Sequence, residues 1–272
     1  MSRARTVTLA PLPVFGVTIS GAMNSAEGEL LTAFEMHSVV RIEALLDDGL
    51  DPRLPIHGKL PIDSLTEMYT RSDRFPDCLR LLLGRGAVLA DRRLEAVLLD
   101  DGAALETAID ADASLLTHRT TMVSTFTPLV GASLLHVAAE YGNTNAARVL
   151  IARGADVDAR AGVDSDGLNG HTPLFHTVNS NGNRSAPILD LLLDAGASTT
   201  ILLRGITWGA GFDWETTLFD VTPLSYAQFG LLPQMHRNEG QIYANIARLL
   251  KSGGRTVPAL SNVPNRYLEP RQ

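Results

Sequence analysis

Five times along the chain a pair of aliphatic residues is followed, three positions on, by glycine: Leu45-Leu46-Asp-Asp-Gly49, Leu82-Leu83-Gly-Arg-Gly86, Leu150-Ile151-Ala-Arg-Gly154, Leu192-Leu193-Asp-Ala-Gly196 and Leu249-Leu250-Lys-Ser-Gly253. Glycine just past an apolar helical stripe marks a helix that stops and turns through the left-handed conformation. Repetition of that signal restricts the chain to an array of like units, each burying its apolar face against the next. The step from Gly86 to Gly154 is 68 residues, so a unit without its glycine is expected between them. Residues 91–118 supply it: Leu94, Val97 and Leu98 form one helical stripe, and Leu105, Ala108 and Ile109 form a second. Six units of two antiparallel helices are expected.

The units also share a start signal. The fourth reads Ser133-Leu-Leu135-His136-Val-Ala138-Ala139-Glu-Tyr141-Gly142-Asn143, and later units open with Thr172-Pro173-Leu174 and Thr222-Pro223-Leu224. Serine or threonine before the first apolar residues is an N-cap, and proline suits the first helical position. Gly142 is placed to end the first helix of its unit. Ile188, Leu191 and Leu192, or Ile242, Ile246, Leu249 and Leu250, line one face of the second helix.

The stretch Ser133 to Arg160, with Leu135-His136-Val-Ala138-Ala139 and Gly154-Ala-Asp156-Val-Asp158, closely resembles an ankyrin repeat, and the two Thr-Pro-Leu units resemble further ones. The resemblance covers residues 29–254. It implies an all-α solenoid of stacked helix-turn-helix units, with a long loop insertion before the last. It also implies that His136 ties adjacent turns together by hydrogen bonds. Phe175 and Ser225 replace that histidine in the later units, with His176 shifted by one.

Hydrophobic residues make up 45% and charged residues 19% of the 272, enough to bury a core. The 23 Lys and Arg against 30 Asp and Glu give a net charge of −7, which argues against a dedicated nucleic-acid binder. Cys78, alone of its kind, cannot close an intrachain disulfide and is expected as a small buried residue. No run of about 18 apolar residues predicts a membrane span.

Residues 1–28 are expected to be a poorly ordered leader. Met1-Ser-Arg-Ala-Arg5, an apolar middle and Ser20-Gly21-Ala22 have the order of a secretion signal. Pro11, Pro13 and Gly16 interrupt that middle, and Met23 offers an alternative start. The expectation is a cytoplasmic monomer, with secretion as the alternative, and residues 255–272 form a proline-bearing C-terminal tail.

In an ankyrin-like stack, the resemblance implies partner contacts from the turns between units and the exposed end of each first helix. That selects Ala132, Glu140 and Tyr141 in the fourth unit, His171, Asn179, Ser180 and Asn181 in the fifth, and Val221 and Phe229 in the sixth, for an unidentified protein partner. The spacing from Leu174 to Leu224 is 50 residues, longer than a unit, so an insertion precedes the sixth. It holds Trp208, Phe212, Asp213 and Trp214, among glycines. Such aromatics serve either as binding anchors or as packing that holds the loop to the stack. A second insertion, Gly230 to Glu239, carries Pro233, Met235, His236 and Arg237 and is placed to line the same side.

Chemical motifs are absent. A calcium-loop register from Asp164 fails, because Phe175 occupies the position where a bidentate glutamate is needed. No Gly-x-Ser-x-Gly, Walker-type loop or zinc-protease histidine pair occurs. The function expected is non-catalytic protein binding without cofactor or metal. The alternative is an enzyme or small-ligand binder with a pocket between the 204–217 insertion and the last unit, where Asp213, Glu215 and His236 are the ionisable groups.

Overall fold

Each recurring glycine ends a helix in the left-handed region, with φ of +105° at Gly49, +90° at Gly86, +87° at Gly154, +84° at Gly196 and +88° at Gly253. One residue further on, the amides of Leu50, Ala87, Ala155 and Ala197 donate back to the carbonyls of Leu45, Leu82, Leu150 and Leu192 at 2.9–3.1 Å. This reversed bond satisfies a carbonyl that the helix end would otherwise orphan. The structure is a computed structural model, and it describes residues 26–124, 129–209, 215–232 and 235–253.

Six helix pairs follow one another. They are α1 (Ala26–Glu35) with α2 (Val39–Asp47), α3 (Pro61–Glu67) with α4 (Phe75–Gly84), α5 (Glu95–Leu98) with α6 (Gly102–Ala111), α7 (Leu134–Tyr141) with α8 (Thr144–Ala152), α9 (Pro173–Thr177) with α10 (Ala186–Asp194), and α11 (Pro223–Phe229) with α12 (Glu239–Lys251). The helical part thus starts at Ala26, inside the segment expected to be leader. Residues 1–25 and the 254–272 tail lie outside the described residues. Among the described residues, no helix is long and apolar enough to cross a membrane.

The first helices of successive units pack in one layer and the second helices in another, as α7 on α9 on α11 and α8 on α10 on α12 show. Leu82, Leu150, Leu192 and Leu249 are fully buried between the layers, and Ala138, Ala139, Ala146 and Ala147 let neighbouring helices approach closely. Polar side chains at the entries of α8 and α10, and within α12, satisfy carbonyls of the preceding unit. Asn143 Nδ2 donates to the Val97 carbonyl at 2.7 Å, Ser185 Oγ to that of Ala139 at 2.7 Å, and Asn245 Nδ2 to that of Val178 at 3.1 Å. On the outer face Arg85–Asp47, Arg153–Asp110 and Arg248–Asp190 pair from unit to unit, but these exposed pairs add little stability.

The chain is not all-α. Strands β1 (Arg119–Met122) and β2 (Leu129–Ser133) form one antiparallel hairpin, and β3 (Leu203–Trp208) and β4 (Thr216–Val221) form another. The second hairpin is the segment expected as a loop insertion. Ile206, Thr207 and Trp208 face Leu218, Thr217 and Thr216, residue types that suit a pleated surface, and the Thr207 and Thr217 hydroxyls lie 3.1 Å apart. At Gly205 a Cβ would come within 2.6 Å of the Leu218 carbonyl oxygen, so glycine is what lets the strands close there. Between the hairpins, residues 161–171 form a third finger. Its Gly162 amide donates to the Val130 carbonyl and its Asn169 amide to the Gly205 carbonyl, both at 2.7 Å. Asp164 holds the tip of that finger through the amides of Asp166 and Leu168, the solvated-turn role open to it once the calcium register fails.

Candidate functional site

The helix α5 has only four residues, and the gap it leaves is bridged from either side. From α7, Tyr141 reaches past it and donates its hydroxyl to the Thr66 carbonyl of α3 at 2.6 Å. From unit two, the strap Met68–Arg74 between α3 and α4 crosses the inner-helix side. Its Arg71 guanidinium sits 4.4 Å over the Tyr141 ring and donates to the Thr66 carbonyl and the Ser124 hydroxyl. Ser72 bonds His37 of unit one at 2.8 Å, and Asp73 pairs with Arg184 of unit five at 2.6 Å. The Tyr69 hydroxyl accepts from Arg237 of unit six at 2.6 Å. One short segment therefore ties the two ends of the stack.

Beneath this strap lies an open cleft of about 70 Å³. Tyr69 and Arg71 form its strap side, and Glu140 closes the end of α7. His171, Phe175 and His176 come from α9 and the residue run before it, and Asn179, Ser180 and Asn181 from the turn that follows. Ile206 and Trp208 come from β3, Tyr226 from α11, and Met235 and Arg237 from the loop after it. Trp208 meets Phe229 edge to face at 5.7 Å, and Phe229 stacks on Tyr226 at 6.3 Å. Trp208 thus packs on the stack and lines the cleft at once.

The ionisable groups form a chain. Ser124 donates to Glu140 Oε1 at 2.8 Å, and His176 Nδ1 bonds Glu140 Oε2 at 2.7 Å. Burial pushes the Glu140 carboxyl up, but His176, Arg71 and Ser124 more than offset it and hold it below the usual carboxylate range. The carboxylate stands between serine and histidine, so His176 does not activate the Ser124 hydroxyl, and this is not a nucleophile-and-base arrangement. His171 lies edge-on to His176 at 4.6 Å and is held neutral by burial first and His176 second. Arg237 Nε donates to both the backbone carbonyl and Oδ1 of Asn179 at 3.2 Å. Among the described residues, no group of histidine, cysteine and acidic side chains is arranged to hold a metal.

The structure gathers Glu140, His171, Asn179, Ser180, Asn181 and Trp208 around one cleft, with Phe229 behind Trp208. Three of the expected contacts differ from the exposed positions the resemblance implies: Tyr141, which does not line the cleft, and His171 are only 2% exposed, and Asn179 is buried too. Tyr141 is a tie between units two and four, and burial pushes its hydroxyl pKa up. Ala132 and Val221, strand residues beside the first helices, are buried as well. Tyr141→Phe is therefore expected to lower stability by about 1–2 kcal/mol in urea denaturation without changing partner binding. Phe212, Asp213 and Trp214 lie outside the described residues, and His236 is exposed and not part of the cleft lining. Tyr69, Arg71, Phe175, His176, Ile206 and Tyr226 are the cleft residues that reading the sequence does not select. Arg71 and Tyr69 sit in the least regular unit, where no repeat register assigns them a face.

Stacked helix pairs joined by hairpin fingers define a repeat protein. A family model of ankyrin repeats, in three copies, matches residues 76–202, so that stretch of the chain is built of ankyrin repeats. The hairpin at 203–221 and the sixth helix pair lie beyond the matched segment. Among solved structures, the ankyrin repeat domain of Bcl-3, described as a unique member of the IkappaB protein family, is similar at 20% identity and a TM-score of 0.40, covering 84% of this chain and 86% of that one. A search of curated proteins returns no match.

Proposed function

We propose that the chain is a non-catalytic protein-interaction module that binds a macromolecular partner through its concave inner face and the fingers between repeats. Ankyrin repeats generally mediate protein–protein interaction, and the observation that supports this reading here is a row of exposed apolar side chains on the fingers. Val123, Val130, Val163 and Phe219 are 61%, 48%, 62% and 66% exposed. Main-chain hydrogen bonds join the fingers that carry Val130, Val163 and Phe219. Apolar surface left in water forgoes roughly 25 cal/mol per Å², and a rigid row of it marks a surface that a partner covers. In this reading the chain acts as a cytoplasmic monomer, its acidic balance favours a partner with a basic face, and the rim residues Asn181 and Trp208 supply polar and aromatic contacts beside the row.

The test compares wild type with a Val130→Ser, Val163→Ser, Phe219→Ser variant in affinity capture from native lysate, with helical circular dichroism as the folding control. The expected result is a protein retained by wild type and reduced about tenfold or more by the variant, since central apolar anchors carry most binding energy. Equal retention by the two folded chains refutes the assignment of the finger row.

A further inference from the structure

We infer that the cleft beneath the strap is a binding site for a small aromatic carboxylate, next to the partner surface on the fingers and sharing its rim residues Asn181 and Trp208. The argument begins with charge. Arg71 and Arg237 both line the cleft, and among the described residues neither guanidinium has a carboxylate oxygen within 4 Å. Their partners are neutral: Thr66 and Ser124 for Arg71, Asn179, Met235 and the Tyr69 hydroxyl for Arg237. Arg71 Nε is buried with no hydrogen-bond partner. Glu140, the acid of the cleft, already accepts from Ser124 and His176. Among the described lining residues, two arginines and one carboxylate leave a single positive charge uncompensated, inside a chain whose net charge is −7.

Holding a guanidinium partly out of water without a counter-ion is unfavourable, and a ligand carboxylate removes that penalty while forming charge-assisted hydrogen bonds. One carboxylate balances the site. A phosphate monoester, at about −1.5 to −2, overshoots it. The rest of the lining sets the ligand body: Trp208, Tyr226 and Phe175 give flat apolar walls for the face of a ring, and a cleft of about 70 Å³, open to solvent, excludes a folded segment. Tyr69 fixes the direction of Arg237 from the strap side, so the strap is part of the site.

The test is calorimetric titration of the full chain with phenylacetate, its neutral counterpart 2-phenylethanol, and inorganic phosphate, with Trp208 fluorescence followed in a Trp214→Phe background. Phenylacetate is expected to bind saturably and perturb Trp208, with 2-phenylethanol and phosphate weaker by about tenfold or more. Arg237→Gln, checked for helical circular dichroism, is expected to weaken phenylacetate about tenfold or more. The inference is overturned if phenylacetate shows no saturable binding up to about 10 mM, if the alcohol or phosphate binds as well, or if the folded Arg237→Gln chain binds unchanged. Should that variant not fold, the comparison of the three probes on wild type decides alone.

Discussion

Lowering the pH from about 7 to about 5 is expected to destabilise the folded chain by about 3–4 kcal/mol through His37 and His136, with His171 adding to the loss in the same direction, because the fold keeps all three neutral. His37 is lowered to about 4 by burial, then by Arg71 and Arg184. Burial first, and His176 second, bring His136 down to about 3, against a smaller opposing pull from the His171 carbonyl. His171 lies well below 6.5, again through burial first. In the unfolded chain each titrates near 6.5, so below that pH the unfolded state takes up a proton that the folded state refuses. Their contribution is complete above about pH 6.5 and shrinks by up to about 1.4 kcal/mol per pH unit per histidine on the way down to the folded values. Asp63 and Asp100, raised by burial, act in the opposite sense but are only partly buried. Further down, Asp91 adds to the loss. Burial would raise it, but the hydrogen bonds from Arg93 and His118 hold it at about 2. Against a total domain stability of about 5–15 kcal/mol, the loss at pH 5 is enough to bring unfolding into reach at room temperature. Urea midpoints measured from about pH 8 to pH 5 decide it, and a flat profile contradicts the buried-neutral assignment.

The histidines also explain which parts of the site were legible in the sequence. The Leu-Leu-x-x-Gly signal is local: helix stop, left-handed turn and reversed hydrogen bond all lie within six residues, so the helix pairs follow from the spacing alone. The degenerate third unit was legible as two helical stripes, but the brevity of α5 was not, because nothing in Arg92–Leu98 stops a helix as glycine or proline would. The strap escaped for that reason. Its residues face the cleft only because a short α5 lets units two and four approach, a consequence of packing several units away. Residues 204–208 and 216–217, expected as loop from the glycines and aromatics around them, are strand. The Ile-Thr-Trp and Thr-Thr-Leu-Phe runs are strand-forming once they face each other, and only Gly205 gives the approach room it needs. The shift of histidine from the Phe175 position to His176 was visible, and its meaning is geometric. One residue turns a helix by about 100°, which takes the imidazole away from the N-cap and onto the inner face beside Glu140. Its former place is taken by the buried Phe175 ring, and the Thr172 hydroxyl is left without a partner.

Where the histidine keeps its register, its removal should be severe: His136→Ala is expected to cost about 3–5 kcal/mol. The ring is fully buried, and each of its nitrogens is used. Nδ1 accepts from the Ser133 amide at 3.1 Å and lies 2.8 Å from the Ser133 hydroxyl, while Nε2 bonds the His171 carbonyl of the next finger at 3.0 Å. A backbone amide bonded to Nδ1 makes it the acceptor, so the proton sits on Nε2 and the ring is neutral, in keeping with its lowered pKa. Alanine orphans a buried amide and a buried carbonyl, each at about 1–3 kcal/mol, and leaves a ring-sized void between units four and five. Ser225 provides the internal control. At the equivalent position of unit six it exchanges hydrogen bonds with Thr222 in a capping box but, among the described residues, reaches no neighbouring unit. Ser225→Ala should therefore cost only about 1 kcal/mol, the value of a local cap. In a stack where each unit is held by the next, the difference is also one of kind, since the His136 bond couples two units and the Ser225 bonds couple none. Urea denaturation followed by circular dichroism distinguishes the two. A His136→Ala loss no larger than that of Ser225→Ala would mean that the inter-unit bond contributes nothing beyond the cap.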